Sequence, residues 1–431
     1  MKKGGTNMNR YFIKLKGGIL YYSLIVMILS SSVIGLILLC SYYGDKVITI
    51  SAKQAEIERN VFSAFNLFLG GMDVFKGKGS STINLYGSSS DSVYLNRTYW
   101  GNYSIIKAGA KWKNKSYSKV ALVGSNLFTD EHVALFMSDE GRFLSLSGKT
   151  TLTGTCYLPG KTARIAAIEG EQYIHKELAF GEIKASPHSL PELNKNLFSF
   201  ANELISNGRI YNDSIINIDA IDSNYLRNPF SNKTFIVNSG ELKNLAGYSF
   251  SGNIIILSTS PLIIEKSTKL EDVILLAPKI YVKNGFKGTF QAYAVQTIDI
   301  DENCDLGFPS QLCVIHCEGK YNPADSLIIS IGKRSKLSGA AIIKSNGLTS
   351  FIKISSGAKI YGQIYCPGAV ELQGDVIGSL YCKSFYLETP RSKYFDHLLN
   401  SNIDFNSLSW HFVGIDLIKE NPIKSVIKWL N

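Results

Sequence analysis

A short repeat near the C-terminal end constrains the fold more than any other feature of the sequence. Residues 360–366 (IYGQIYC) return sixteen residues later as residues 376–382 (VIGSLYC). In both copies an apolar residue begins the repeat, and Gly follows it two positions later. Another apolar residue stands six positions before the start of each copy. A unit this short cannot bury its own apolar face, but stacked units share one continuous core. The repeat therefore predicts coils that stack on one another.

The spacing of six between apolar residues extends beyond these two copies. The core positions that it predicts are Leu146, Leu152, Ile264, Leu270, Ile300, Leu306, Ile331, Leu337, Ile354, Ile360, Val370 and Val376. From residue 264 onward the pairs start 36, 31, 23 and 16 residues apart, so the period shortens toward the C-terminus. Ordinary hairpins would instead favour Asn-Gly or Asp-Gly turns, which are scarce here. We interpret residues 209–391 as a β-solenoid and residues 392–431 as a cap on its last coil.

The composition agrees with a strand-rich protein, since 23 Tyr and 22 Phe stand against only 11 Pro. In its spacing, the tract from about residue 250 to 390 resembles the polymer-forming β-helix domains of the bactofilin type. That resemblance implies the type of fold. Bactofilin-type proteins are mostly cytoplasmic, whereas the charge distribution described next places this domain outside, so we infer no filament from it.

One segment is long and apolar enough to cross a membrane. Residues 19–43 (ILYYSLIVMILSSSVIGLILLCSYY) carry no charge, and a transmembrane helix needs about 20 apolar residues. A cleaved secretory signal has a shorter apolar core, of roughly 7–15 residues. A lipoprotein signal resembles this region little, because that motif has a small residue before its Cys and Leu39 precedes Cys40. The segment therefore predicts a transmembrane helix whose partner is the lipid bilayer.

The charges around this segment predict its orientation. The cations that precede it are Lys2, Lys3, Arg10, Lys14 and Lys16, and no acid precedes Asp45. By the positive-inside rule, residues 1–18 form a cytoplasmic leader. We therefore expect a single-pass protein of the inner (cytoplasmic) membrane, with its C-terminal domain periplasmic or extracellular. The rest of the net charge of +10 is dispersed, which argues against a nucleic-acid partner.

Helical periodicity continues beyond the span. Residues 44–70 place apolar side chains at three- and four-residue steps, which predicts an amphipathic stalk helix that ends at Gly70-Gly71. Alternating apolar and polar residues then predict a β-rich region over 71–185, including a small antiparallel sheet within residues 80–119. The sequence Ser189-Leu-Pro-Glu192 has the residues of a helix start, and predicts a connecting helix over 186–208.

A cationic leader ending in Gly17-Gly18, an uncharged span, a continuing helix and an antiparallel sheet together resemble a type IV pilin or minor pseudopilin. The resemblance covers residues 1 to about 125 and implies cleavage of the leader after Gly18. The family has Glu at the fifth mature position, where this chain has Ser23. A simple signal anchor followed by a stalk explains the same pattern, and is the interpretation we favour from the sequence.

Motifs that carry chemistry are scarce. The sequence contains no HExxH, GxSxG or EF-hand loop and no GxGxxG after a strand, so we expect no enzyme activity and no cofactor. Asp299, Asp301, Glu302 and Asp305 form the densest acidic group, which could bind Ca²⁺ or cleave polysaccharide. Alternating strand residues and a polar corner give the same pattern, and we favour that interpretation. His316 between Cys313 and Cys317 offers only three ligands, one fewer than a structural zinc site needs.

Cys366 and Cys382 occupy equivalent positions of the repeat. On adjacent coils they would stack at roughly the 4.8 Å spacing of neighbouring strands, within the Cα separation of about 4.4–6.8 Å that a disulfide requires. The pair is therefore a candidate disulfide in an oxidising compartment, although buried Cys also serves as a small apolar residue.

In the predicted cap, residues 394–399 suggest a short helix and residues 408–413 a strand. A docking tail that ends in residues 427–430 (IKWL) is the alternative to a cap. We expect a non-catalytic, membrane-anchored structural or assembly protein of the cell envelope with protein partners, such as an accessory component of a pilus-like or secretion machine. The alternative is a carbohydrate-binding or carbohydrate-cleaving β-helix, which would need a solvent groove lined by acids and aromatic residues from several coils.

Overall fold

The computed structural model describes residues 17–75, 79–87, 91–129, 131–207, 214–221, 224–240, 242–316, 326–345 and 347–430. Cys317 lies outside the described residues, and so do the leader residues that precede Gly17. The chain is mainly β, with one long apolar helix at its N-terminal end. This confirms the coarse class that the composition and the hydropathy pattern predict.

The regular elements are two α-helices and a long series of strands. The helices are α1 (Gly17–Leu69) and α2 (Ser199–Asn207). The first strands are β1 (Ser80–Asn84), β2 (Ser92–Trp100), β3 (Tyr103–Trp112), β4 (Lys115–Asn126), β5 (Val133–Met137), β6 (Leu144–Ser147), β7 (Thr151–Thr153), β8 (Thr155–Leu158), β9 (Ala163–Ile165), β10 (Ala167–Ile168), β11 (Glu171–Gln172) and β12 (Ile183–Ala185). After α2 follow β13 (Ser214–Asn217), β14 (Tyr225–Asn228), β15 (Phe235–Asn238), β16 (Ser249–Gly252), β17 (Ile254–Leu257), β18 (Leu262–Ile264), β19 (Lys269–Glu271), β20 (Val273–Val282), β21 (Lys287–Gly288), β22 (Phe290–Ile300) and β23 (Asp305–Ile315). The last are β24 (Leu327–Ile331), β25 (Lys336–Lys344), β26 (Ser350–Ile354), β27 (Lys359–Leu372), β28 (Asp375–Glu388), β29 (Lys393–Phe395), β30 (His397–Leu399), β31 (Asn402–Asp404), β32 (Val413–Gly414) and β33 (Lys424–Trp429).

Strands β1 to β4 form an antiparallel sheet in chain order, as the alternation within residues 80–119 predicts. The C-terminal strands β32 and β33 both pair with β4 and extend this sheet. The second half of α1 packs on one face of the sheet. Their shared core contains Val61 and Phe65 from the helix and Leu95, Ile106 and Val123 from the sheet.

Most of the remaining strands pair in parallel, in ladders that bury one column of apolar residues each. One column consists, in spatial order, of Ile216, Val237, Ile256, Leu275, Ala292, Leu312, Ala341, Ile364, Leu380, Leu135, Cys156 and Ile183. A second column is Ile264, Val282, Ile300, Ile331, Ile354 and Leu372. A third is Leu306, Leu337, Ile360, Val376, Ile403 and Leu152. Long strands join the ladders: β22 belongs to two of them, and β27 belongs to all three.

The order of the strands in space is not their order in the chain. After β28 the first ladder continues with β5, where Leu380 pairs with Leu135, and then with β8 and β12. Strands that precede α2 in the chain therefore cover one end of the stack, and the stack itself is built from strands that follow α2. This arrangement follows from the apolar edge of β28, because an unpaired parallel edge leaves both backbone groups and core residues exposed.

Three local predictions differ from the structure. The helix expected from Ser189 begins only at Ser199, since residues 189–194 are irregular. Residues 394–399 form strands β29 and β30 rather than a helix, and β30 pairs with β6. Residues 408–412 are irregular before β32. The segment expected to cap the last coil instead contributes β31 to the stack and β32 and β33 to the antiparallel sheet.

Candidate functional site: the N-terminal helix and the surfaces joined to it

The first half of α1 exposes apolar side chains on every face. Of the described residues, this is the one helix long and apolar enough to cross a membrane, and no residue of its most apolar window is buried. Tyr21 and Tyr22 lie near one end of the apolar segment and Tyr42 and Tyr43 at the other, all exposed. Amphipathic aromatic rings at both edges are typical of a helix whose ends lie at the two membrane interfaces.

The second half of the same helix is packed against protein. Ile57, Val61 and Phe65 are at most 4 % exposed, whereas Val47 and Ile48 remain exposed. One continuous helix therefore passes from an unpartnered apolar segment into the core of the antiparallel sheet. The predicted stalk face is correct from Ile57 onward, while its beginning near Val47 has no protein partner among the described residues.

The C-terminal strand holds the helix on the sheet. The Trp429 ring lies 5.2 Å from that of Phe65 in an edge-to-face contact, and its backbone pairs with Ala121 of β4. The neighbouring Lys428 ammonium lies 2.6 Å from the Asp272 carboxylate at a corner of the parallel stack. The last strand thus contacts the helix, the sheet and the stack at once. The sequence suggested a docking tail ending in Ile427 to Leu430, but not that its partner is the chain itself.

The sheet and the stack are also joined through the turn between β2 and β3. Gln291 Nε2 donates to the Trp100 carbonyl oxygen at 3.0 Å, and Asn102 Nδ2 donates to Gln311 Oε1 at 2.7 Å. Both glutamines are buried. Burial also raises the pKa of the nearby Tyr103 hydroxyl well above its ordinary value. Because buried polar groups need these partners, the network fixes the orientation of the sheet on the stack.

All twelve predicted core residues are buried in a single hydrophobic cluster. The register shows which of them are equivalent. Ile360 pairs with Val376, as the sixteen-residue repeat predicts. Val370, however, pairs with Ile352, and it is Leu372 that pairs with Ile354. The step from Leu337 to Ile360 takes 23 residues and the next, from Ile360 to Val376, takes 16. Two of the seven missing residues are lost in the corner after Leu372, and the other five between Ile364 and Leu372.

Cys366 and Cys382 are register partners in adjacent strands, and Cys382 in turn pairs with Met137. Both are buried free thiols in this structure. Burial raises the pKa of the Cys366 thiol to about 12 and that of the Cys382 thiol well above its ordinary value. The stacking agrees with the repeat, and the disulfide stays a prediction.

The acidic group of residues 299–305 is divided by a corner of the stack. Asp301 pairs with Lys283 at 3.7 Å, and Glu302 pairs with Arg334 at 3.2 Å. Burial, with the neighbouring Asp301 charge, raises the pKa of the Asp299 carboxyl. Within the described residues no three His, Cys, Asp or Glu side chains are grouped as metal ligands would be. The arrangement agrees with a solvated polar corner.

A groove of about 570 Å³ lies between the parallel stack and the C-terminal strand. Its walls include Tyr225 and Trp429 and the acids Glu271 and Asp272, contributed by several strands. Both carboxylates face the Lys428 ammonium, at 3.4 Å and 2.6 Å. Strand alternation could not reveal this groove, because it forms only where the C-terminal strand returns to the stack.

Comparison with known proteins identifies no relative: no family model, no curated protein and no solved structure matches this chain.

Proposed function

We propose that this chain is a non-catalytic, single-pass membrane protein that holds a rigid β structure outside the inner membrane, as a structural or assembly component of the cell envelope. The observation that carries the proposal is the continuity of α1. Its exposed apolar residues 19–43 suit a bilayer, and the same helix is packed into the protein core from Ile57 to Phe68. One continuous helix therefore joins the proposed membrane-spanning segment to the β structure, as expected of a component that holds a surface in a fixed position.

The orientation follows from charge. The five cations that precede the span, with no acid before Asp45, favour a cytoplasmic N-terminus. The sheet and the parallel stack would then be periplasmic or extracellular.

We interpret the parallel stack as a β-solenoid. Three columns of apolar residues run through it in parallel register. As the chain advances, it contributes a residue to each column in turn, and then pairs with the strands of the preceding coil. A solenoid of this kind offers long, regular faces without reactive groups. This suits a structural role and agrees with the absence of catalytic motifs from the sequence.

The packing of a half-exposed N-terminal helix on an antiparallel sheet also supports the likeness to pilins and minor pseudopilins. We therefore propose an accessory place in a pilus-like or secretion machine, with other envelope proteins as partners. Mass spectrometry of the native N-terminus tests this assignment. A chain that starts at Ile19 supports cleavage after Gly18, whereas an intact leader removes the pilin-like assignment and leaves the membrane anchor.

The groove beside Trp429 favours one alternative, a carbohydrate-binding β-helix. Its exposed Tyr225 could stack on a sugar ring. Hydrolysis is disfavoured, because glycosidases need two independent carboxylates and here Glu271 and Asp272 share the Lys428 ammonium. A glycan-binding screen distinguishes the proposals: we expect no binding, and binding that Tyr225→Ala abolishes would support the alternative.

A further inference from the structure

The turn between β3 and β4 carries a group of exposed cations. Lys111, Lys113 and Lys115 are all exposed, and none forms an ion pair with any residue that the structure describes. The Lys113 ammonium lies 4.8 Å from the centre of the Trp112 ring, and Trp112 is partly buried against the core between helix and sheet. Three unpaired cations around an anchored indole form a basic tip, residues 111–115.

The basic tip lies at the end of the sheet that faces the exposed half of α1. Three contacts fix the direction of β4 along the helix. Tyr117 contacts Phe62, Trp429 beside Ala121 contacts Phe65, and the far end of β4 approaches Pro422, which touches Gly71. Later residues of β4 thus meet later residues of α1. The turn that precedes β4 must point toward the N-terminal, apolar half of the helix.

The distance from this tip to the membrane surface follows from the geometry of strands and helices. Tyr117 also lies beside Glu58, and burial together with the Glu58 charge raises the pKa of the Tyr117 hydroxyl. The tip lies three to four strand residues beyond Tyr117, roughly 10–13 Å away. At 1.5 Å per helical residue, the tip is level with about residue 50, roughly 10 Å from Tyr43. The headgroup layer occupies about 5–7 Å of that distance, and a lysine side chain can extend across the remainder.

The neighbouring turn at the same end of the sheet adds an aromatic residue. Asn84 of β1 pairs with Ser92, so the turn after β1 lies beside the basic tip, and its Tyr86 is 67 % exposed. Of the acids near this end, Glu58 lies beside the Tyr117 hydroxyl, and Asp91 has an interaction within the protein. Lysines next to Trp and Tyr are the combination that the membrane interface favours.

We propose that the basic tip, residues 111–115, binds anionic lipid headgroups of the membrane that α1 crosses. The inference rests on the proposed membrane anchorage and adds a second point of contact to it. A helix alone leaves the protein free to tilt and rotate about its axis. Contact at the basic tip would set one face of the β structure toward the bilayer and hold the rest at a fixed angle.

Hydrogen exchange of the full chain in nanodiscs tests the proposal. Discs of phosphatidylcholine alone are compared with discs that also contain phosphatidylglycerol. We expect the amides of residues 112–116 to exchange more slowly in the anionic discs, and the difference to disappear at high salt because screening shortens the reach of the charges. Each lysine should contribute roughly a fivefold factor to the lipid interaction, so Lys111→Gln, Lys113→Gln and Lys115→Gln together should abolish it.

A matched control removes the same charge elsewhere. Lys266, Lys333 and Lys359 are exposed, have no ion pair among the described residues, and lie on the parallel stack. Their triple Gln variant should keep the anionic-lipid effect. Equal exchange of residues 112–116 in both kinds of disc, or an effect that survives in the basic-tip variant, overturns the inference alone. Unprotected amides in residues 22–42 would overturn the membrane anchorage and the inference with it.

Discussion

At the scale of residues, the repeat that begins at Ile360 acts through register. Gly362 and Gly378 are paired, with φ of +132° and +142°, in the region that L side chains rarely adopt. A Cβ on Gly378 would also clash with the carbonyl oxygen of Gly362. The glycine lets neighbouring passages approach closely, while the apolar residue two positions earlier fills the core between them. Each copy of the repeat therefore needs both the glycine and the apolar residue.

A charge at either core position should unfold the stack. Ile360 and Val376 are 0 % exposed and have no polar partner within the cluster. We expect Ile360→Asp and Val376→Asp each to cost several kcal/mol, because a buried carboxylate without a partner cannot be solvated. Lys359→Asp, one position away on the exposed face, is the control. Thermal unfolding measures the difference, and a midpoint equal to wild type for either core variant would place that residue outside the core.

The stacked thiols should be unreactive in the folded protein. The thiolate is the reactive species, and burial raises the pKa of Cys366 to about 12. We expect iodoacetamide at neutral pH to leave Cys366 and Cys382 unlabelled until denaturant is added. Rapid labelling of either thiol under native conditions would contradict their burial. Peptide mapping without reductant then reports whether the pair is bonded.

Asp396 should make stability depend on pH. Its side chain is 2 % exposed, and burial raises the pKa of its carboxyl despite Arg142 at 3.0 Å and the Phe385 N–H. As pH rises through the ordinary value near 4, the unfolded chain releases this proton first, so the free energy of unfolding falls up to the raised pKa. We expect wild type to lose stability relative to Asp396→Asn over this interval. The opposite slope would mean that the ion pair outweighs the burial.

At the scale of elements, the C-terminal strand β33 is the part that ties the others together. Trp429 packs edge to face against Phe62 and Phe65, and the Lys119 ammonium lies 5.0 Å from its ring. The rest of the sheet meets the helix through β2, β3 and β4. A break in β33 should therefore weaken the packing of α1 on the sheet.

Trp429→Ala tests the role of the strand. We expect it to lower the free energy of unfolding by about 2–3 kcal/mol, less than a fully buried Trp because the ring is partly exposed. Trp410→Ala is the matched control, since Trp410 is 80 % exposed and stacks only on Phe128 among the described rings. Unfolding in detergent, followed by tryptophan fluorescence, compares the two variants. Equal losses would mean that Trp429 does not hold the helix.

At the scale of the whole molecule, periodicity predicts the long apolar helix, the mainly β class and the columns of core residues, because each depends on residues close together in sequence. Which strands lie next to one another is harder to predict from the sequence. The pairing of Leu380 with Leu135 joins residues far apart in the chain, and no local pattern distinguishes one apolar edge from another. The groove beside Trp429 could not be predicted for the same reason, because it exists only where separate elements meet. The lysines of the basic tip lie in one local turn, but their position near the apolar half of α1 also depends on how the sheet packs on the helix.

We propose that α1 crosses the membrane once and leaves the β structure outside. A fluorescent protein that folds only in the cytoplasm, fused through a flexible linker after Asn431, measures this directly. A phosphatase that is active only outside, fused at the same position, is its complement. We expect the phosphatase fusion to be active and the fluorescent fusion to be dark. A bright fluorescent fusion with an inactive phosphatase would place the β structure in the cytoplasm and contradict the account.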